Sequence, residues 1–362
     1  MHVNATPDTR SVDATPPAHV EAALREYLDT RLAEITSLDE AVGAAARALA
    51  DFVLGGGKRI RPTFAWWGWR GAGGAADGPE AHRVLTAVSA LELLQACALV
   101  HDDVMDASTM RRGSPTVHVA FAARHRDNGW HGDSDHFGLA AAILLGDLAL
   151  AWADDMFACS GVNPAALAAA AEPWRAMRGE MLAGQYLDVL SQVRGDVTED
   201  AALRVARLKT AAYTVERPLH LGAALAGAAP STVDSLREFG ADIGVAFQLR
   251  DDLLGMFGDT DVTGKPAGDD LREGKRTLLV ALGLRSDRSG LLRAALGRPD
   301  LDTDTVERVR SMLADVGAVA DVEHRIGELT DSAMRALDAA NLAEPAAGRL
   351  RELAIAATKR NR

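Results

Sequence analysis

From about Val20 to the end of the chain, apolar residues recur at intervals of three and four, with no convincing run of alternating apolar and polar positions. That period suits helices stacked on one another, so the chain is expected to be all-α. Composition agrees, because aromatic residues make up only 5% while alanine, the strongest helix former, is plentiful. A chain of 362 residues could hold one large domain or two smaller ones. Residues 1–17 contain no apolar block and read as a disordered N-terminal arm without a signal peptide, which leaves 18–362 as the folded domain.

Other partners and compartments are narrowed by charge and cysteine usage. The formal net charge is -12, which disfavours nucleic acid and anionic membrane surfaces. Apolar runs such as 139–145 are broken by Gly146 and Asp147, so no transmembrane segment is expected. Cys97 and Cys159 both lie in apolar helical contexts and read as small core residues of a reducing cytoplasm. Basic residues nevertheless cluster at Lys58, Arg59 and Arg61, at Arg111 and Arg112, and at Lys265 and Lys275. Cations set beside dense aspartates point to a small anionic ligand handled together with metal ions.

Turn residues divide the chain. A first helical region ends near Leu54 at Gly55-Gly56-Gly57, and Pro62 suits the first turn of the next helix. After a loop at 71–78, a long apolar helix over 80–104 runs into His101-Asp102-Asp103. A break follows at 111–115, and 124–137 reads as a polar surface loop. Helices are expected at 139–157, 165–190, 201–226 and 232–256, then a Gly- and Asp-rich stretch at 258–274 and a helical remainder with a loop near 285–304.

The strongest chemical signal is Asp102-Asp103-Val104-Met105-Asp106. Asp102 and Asp106 are one helical turn apart on the same face. Three carboxylates so close repel one another unless a cation sits among them, and Mg²⁺ takes such hard oxygen ligands together with substrate phosphates. The alternative is a solvated helix end, although acids at a C-terminus oppose the helix dipole. A second cluster, Gln248-Leu249-Arg250-Asp251-Asp252, places Gly244, Gln248 and Asp251 on one face as a second candidate metal wall. Gly55 to Pro62 sets flexible backbone beside Lys58, Arg59 and Arg61, able to approach a diphosphate or simply to form a solvated turn. It lacks the spacing of a P-loop. Arg111 and Arg112 lie within reach of a phosphate held by the first cluster, and Lys209, Thr210 and Lys265 offer further donors. The two acidic clusters, far apart in sequence, are better explained by a single bundle enclosing one site than by two domains.

In order, these residues resemble the trans-isoprenyl diphosphate synthase family over nearly the whole of residues 52–277. The motifs are Gly-Gly-Lys-Arg-Ile-Arg-Pro, Asp-Asp-Val-Met-Asp with Arg-Arg-Gly, Gly184-Gln185-Tyr186-Leu187-Asp188, Lys209-Thr210, Phe247-Gln248-Leu249-Arg250-Asp251-Asp252 and Gly264-Lys265. The resemblance implies a homodimer, each chain a single large helical bundle around a deep central cavity, with three Mg²⁺ ions joining an allylic diphosphate to two aspartate walls. It implies that Asp102 and Asp106 hold two ions and Asp251 the third, with Asp252 and Asp188 in support. Arg111, Lys209 and Lys265 would neutralise the allylic diphosphate, with Thr210 and Gln248 beside its carbon skeleton. Lys58, Arg61, Gln95 and Arg112 would grip isopentenyl diphosphate, and Lys275 would close over the metal-bound end.

Two departures stand out: Gln95 replaces a common histidine, and Gly255 stands where the second motif usually ends in Asp. His101 reads as a residue that packs the helix or supports the neighbouring ligands, not as a base. One and two turns back from Asp102 lie Ala98 and Leu94, with Cys97 beside them. Small side chains at 97 and 98 let a growing tail pass, while Trp152, Met156 and Phe157 could close the pocket lower down. The expected product is therefore geranylgeranyl diphosphate, with farnesyl or longer polyprenyl diphosphates as alternatives. A class I terpene cyclase shares the first motif but would have a different second one and no need for Lys58 and Arg61. A silent partner subunit would be expected to lose an acidic wall, and a di-iron bundle would need Glu-x-x-His pairs.

Overall fold

The computed structural model of the chain describes residues 11–258 and 268–359. Its helices are α1 (Pro16–Leu38), α2 (Glu40–Leu54), α3 (Ile60–Gly71), α4 (Pro79–Met105), α5 (Val117–Asp127), α6 (Ser134–Ala158), α7 (Pro164–Arg194), α8 (Glu199–Val205), a π-helical stretch Ala206–Glu216, α9 (Arg217–Leu225) and α10 (Pro230–Phe257). Short α11 (Asp269–Glu273) follows, then α12 (Leu278–Ser286), α13 (Leu291–Ala295), α14 (Thr303–Asp315), α15 (Ala318–Ala339) and α16 (Ala346–Thr358). Among the described residues the only sheet is a two-residue ribbon, Met110 opposite Pro115 and Arg111 opposite Ser114. The fold is all-α, as the apolar period requires.

Local chemistry sets the helix limits. Pro16 and Pro17 occupy the first turn of α1, and Val20, Leu24, Leu28 and Leu32 form one buried stripe along it. Asp39 caps α2 by accepting from the backbone N–H groups of Ala41 and Val42 at 2.7 and 3.2 Å. At the crossing of α3 and α9 the backbones nearly touch. A Cβ on Gly222 would lie 2.7 Å from the Trp69 nitrogen and closer still to the Ala65 carbonyl, so only glycine fits.

Two apolar clusters make the core. The larger gathers α1 to α7, α9, the first half of α10, the end of α15 and α16, and the smaller gathers the second half of α10 with α11 to α14 and the start of α15. Leu236, Phe239 and Ile243 belong to the first, whereas Val245, Leu249, Leu253 and Met256 belong to the second. One helix therefore threads both, and its last turns carry the second acidic cluster.

Several expectations are corrected. Residues 11–17 are not a loose arm: Val12 is 2% exposed in a 3₁₀ turn, and Asp13 accepts from Trp66 Nε1 at 2.9 Å and Arg70 Nε at 3.0 Å. The polar stretch 124–137 is mostly the end of α5 and the start of α6. Its turn residues Asn128, Gly129 and Gly132 occupy a short bend, over which Phe121, His125, Trp130 and Phe137 pack ring on ring. Cys159 follows the end of α6 and is exposed, while Cys97 is buried. The loop near 285–304 contains the turn of helix α13. By length and composition alone, α4 and α6 are each long and apolar enough to cross a membrane, a test that a buried core helix also passes. In α4, 72% of the apolar stretch is buried in the bundle, against 39% in α6, whose Ile143 and Leu144 are exposed.

Candidate active site

The first acidic cluster ends α4, where the long apolar stripe delivers it to the edge of the core. Asp102 Oδ1 accepts from Lys209 Nζ and Gln185 Nε2, each at 3.0 Å. Lys209 also donates to Asp188 Oδ2 at 2.6 Å. Asp103 is fully buried and takes both arms of Arg111, Nε at 2.7 Å and Nη2 at 2.6 Å, which leaves Arg111 Nη2 3.5 Å from Asp102 Oδ2. The role of Asp103 is thus to aim Arg111 by a bidentate pair. Asp106 caps the helix and lies 3.5 Å from Lys275 Nζ.

Lys209 owes its position to the π-helical stretch, which the sequence reading took as ordinary helix. It is wedged between two glycines: a Cβ on Gly184 of α7 would lie 2.6 Å from the Lys209 Cα, and one on Gly244 of α10 would lie 2.6 Å from the Ala211 Cα. Such π segments are frequent at functional sites. Thr210 follows Lys209 on this stretch and is half-buried.

The second wall comes from α10. Gln248 Nε2 donates to Asp252 Oδ1 at 2.6 Å; Asp252 is buried and Asp251 exposed. Lys275 ties α4 to α11, which packs beside α10: its ammonium lies 3.5 Å from Asp106 on α4, and 3.4 Å from Asp270 Oδ1 and 2.6 Å from Glu273 Oε2 on α11. Ser108 adds a second tie by donating to Glu273 Oε1 at 3.0 Å. Neither Asp270 nor Glu273 was singled out from sequence. Their signal is the run Gly268-Asp-Asp-Leu-Arg-Glu-Gly-Lys275, which packs three acids around one lysine.

Electrostatics record the crowding. Burial, with the charge of Asp102 beside it, pushes the Asp106 carboxyl up to about 6. Burial acts to raise Asp102 as well, but Lys209, Lys275 and Arg111 outweigh it and hold that carboxyl below the ordinary range. Asp252 is pushed well up by burial and then by Asp270 and Asp251. Burial works against the charges of Lys209 and Lys275, yet the surrounding carboxylates raise both. Among the described residues no three acidic, histidine or cysteine side chains are gathered as a metal cage, since lysine and arginine stand between the carboxylates. The donor set is nonetheless all hard oxygen with surplus negative charge, which fits Mg²⁺.

A separate basic pocket lies next to this one. Gly56 and Gly57 have φ of 109° and 127°, and Arg59 and Arg112 have φ of 50° and 52°, so both strands of the pocket turn through left-handed backbone. Arg112 Nη1 donates to the Gly56 carbonyl at 2.7 Å. Arg61 is buried against the Tyr213 ring, 4.1 Å from its centroid, and donates to Thr214 Oγ1 at 3.0 Å. Lys58 is exposed and Gln95 half-buried. Burial, with Arg111, Arg59 and Arg61 beside it, lowers the pKa of Arg112 against the opposing charge of Glu92. Arg59, taken from sequence only as part of a basic cluster, pairs with Glu92 at 2.8 Å, both side chains 3% exposed.

Of the remaining predicted positions, Lys265 lies outside the described residues. Leu94 is buried and Ala98 half-buried in line with Asp102. Cys97 instead sits in the seam between α4 and α6. Its Sγ is 3.8 Å from His101 Nδ1, and His101 Nε2 lies 3.1 Å from the Ile143 carbonyl, in space kept open by Gly146. Burial lifts the Cys97 thiol to about 12. His101 is a packing residue here. Phe157 stacks on Trp174 of α7 with centroids 4.5 Å apart, and Trp152 is buried beside α1, its carbonyl accepting from Tyr27 at 3.0 Å.

Comparison with known proteins agrees with this geometry. The family model of polyprenyl synthetases matches residues 44–313. A geranylfarnesyl diphosphate synthase of Aeropyrum pernix is 34% identical over 77% of this chain and 82% of its own length, and a geranylgeranyl diphosphate synthase of Mycobacterium tuberculosis is 36% identical over 74% and 72%. The solved geranylgeranyl pyrophosphate synthase from Corynebacterium glutamicum, complexed with isoprenyl diphosphate and magnesium, superposes with a TM-score of 0.92 at 45% identity, covering 95% of this chain and 98% of that one. With its ordered motifs, helical bundle and facing acidic walls, the chain belongs to the polyprenyl synthetase family and is a trans-prenyltransferase.

Proposed function

We propose that this enzyme condenses isopentenyl diphosphate with allylic diphosphates and that its main product is geranylgeranyl diphosphate. The observation that carries the reading is Lys275, whose one ammonium reaches Asp106 on α4 and Asp270 beside α10, so that both acidic walls face a single anion site. Asp102, Asp106 and Asp251, with Asp252 in support, would hold three Mg²⁺ ions. When bound, magnesium supplies Lewis-acid neutralisation of the departing diphosphate.

The chain's own residues do the rest. Lys209, Lys275 and Arg111 are preset, by their carboxylate partners, to receive charge as the allylic carbon–oxygen bond ionises. Lys58, Arg61, Gln95 and Arg112 hold the second diphosphate, so that the double bond of isopentenyl diphosphate attacks the allylic carbocation; a proton is then lost to the released pyrophosphate. A second basic pocket favours condensation over cyclisation, which needs one diphosphate only. Apolar α4 positions below Asp102, among them Ala98 and Leu94, keep water from the cation. The stacked Phe157 and Trp174 support a floor at geranylgeranyl length. On α7, Trp174 lies fourteen residues before Asp188, about 21 Å of helix.

The exposed apolar residues Ile143 and Leu144 of α6 and Leu182 and Tyr186 of α7 support a homodimer, and two free cysteines suit the cytoplasm. The test supplies dimethylallyl, geranyl and farnesyl diphosphates separately with labelled isopentenyl diphosphate and Mg²⁺, then sizes the dephosphorylated products. A twenty-carbon alcohol from all three is expected. No incorporation from any starter would refute the reading.

A further inference from the structure

On α10, Gly244, Gln248, Asp252 and Gly255 follow at helical spacing along one stripe. Gly255, the last of them, has no side chain to add, yet its place is not empty. A Cβ there would lie 2.9 Å from Asp270 Cγ and would collide with Asp270 Oδ2. The backbone ties the two segments together at the same point, since the Gly268 nitrogen donates to the Gly255 carbonyl at 3.3 Å. Asp270 therefore occupies the volume that a residue 255 side chain would fill. Its side chain is 16% exposed, and its other oxygen, Oδ1, lies 3.4 Å from the Lys275 ammonium that also meets Asp106 across the site.

We propose that Asp270 provides the third carboxylate of the α10 wall, delivered from α11 over Gly255, and that position 255 must be glycine to admit it. The carboxylate faces the same magnesium–diphosphate assembly as Asp106, from the opposite side. This inference rests on the function proposed above. It also accounts for the departure at Gly255: the acid is not lost from the wall but supplied by another segment.

The full-length protein is titrated with inorganic pyrophosphate at fixed Mg²⁺ in a calorimeter, so that no turnover is involved. Asp270→Asn, which keeps shape and removes charge, is expected to weaken magnesium-dependent pyrophosphate binding about 10- to 100-fold. Gly255→Ala, whose methyl displaces Asp270, should weaken it in the same direction. Moving the acid back to α10 in Gly255→Asp/Asp270→Ala should bind at least tenfold more tightly than Asp270→Ala alone. Binding by Asp270→Asn at the level of the unaltered protein, or a double variant no tighter than Asp270→Ala, overturns the proposal. Asp102→Ala run in parallel separates the two levels. If it loses binding while Asp270→Asn does not, only the role of Asp270 fails; if Asp102→Ala also binds normally, the acidic-wall reading fails and this proposal with it.

Discussion

Removing Glu92 isolates a buried guanidinium, and the cost can be worked out. Arg59 Nη1 meets Glu92 at 2.8 Å with both side chains only 3% exposed, and Arg59 Nε and Nη2 have no hydrogen-bond partner. Glu92→Ala leaves that charge without a counter-ion, which costs about 3–5 kcal/mol. Taking a denaturant slope of roughly 3 kcal/mol per molar urea, the unfolding midpoint should fall by about 1–1.7 M. The double variant Arg59→Met/Glu92→Leu removes both charges and fills the space with apolar atoms, so it should recover most of the loss. In a double-mutant cycle closed with Arg59→Met and Glu92→Leu as the single variants, the coupling is about 2–3 kcal/mol, near the upper end for contacting pairs. Equilibrium urea unfolding followed by far-UV circular dichroism measures it. The double variant should remain impaired in function, because Arg59 sets the left-handed turn between Lys58 and Arg61. Its KM for isopentenyl diphosphate should rise while kcat changes less, as expected when ground-state binding is lost. A midpoint shift under about 0.3 M for Glu92→Ala, about 1 kcal/mol at that slope, or additive single effects, would refute the reasoning.

Three further outcomes are expected. Asp102→Ala and Asp251→Ala should each lower turnover at least about 100-fold with helicity unchanged, and near-normal rates in either would contradict their assignment to the walls. Ala98→Phe, one turn below Asp102, should shorten the product, and an unchanged length distribution would place the tail elsewhere. Gly222→Ala pushes a methyl into the α3 backbone and should destabilise by about 1–3 kcal/mol or more in the same urea assay; a neutral result would mean that the α3–α9 crossing relaxes freely.

Much of this was legible from local pattern. Asp102 and Asp106 are one turn apart in any helix, and the glycines before Lys58 suit the left-handed backbone that Gly56 and Gly57 adopt. What escaped depended on partners distant in sequence or on backbone winding. Asp13 looked like part of a loose arm because Trp66 and Arg70, which hold it, are more than fifty residues away. The π segment has no compositional mark, since its hydrogen-bond register is imposed by Gly184 and Gly244 from neighbouring helices. Residues 124–137 carry turn formers and charge, yet their aromatic rings close on each other only once α5 and α6 are antiparallel. Gly255 looked like a defect because the acid that fills its place arrives fifteen positions later.

The threading of α10 through both apolar clusters bears on how the enzyme could lose activity. Leu249 and Leu253, the neighbours of Asp251 and Asp252, are anchored among the C-terminal helices, whereas Asp102 is anchored in the larger N-terminal cluster. Damage to α12, α13 or α14, which carry no predicted site residue, therefore loosens one jaw of the vise while leaving the other seated, whereas α16 packs in the larger cluster. Catalysis and the integrity of the smaller cluster are mechanically one property in this chain.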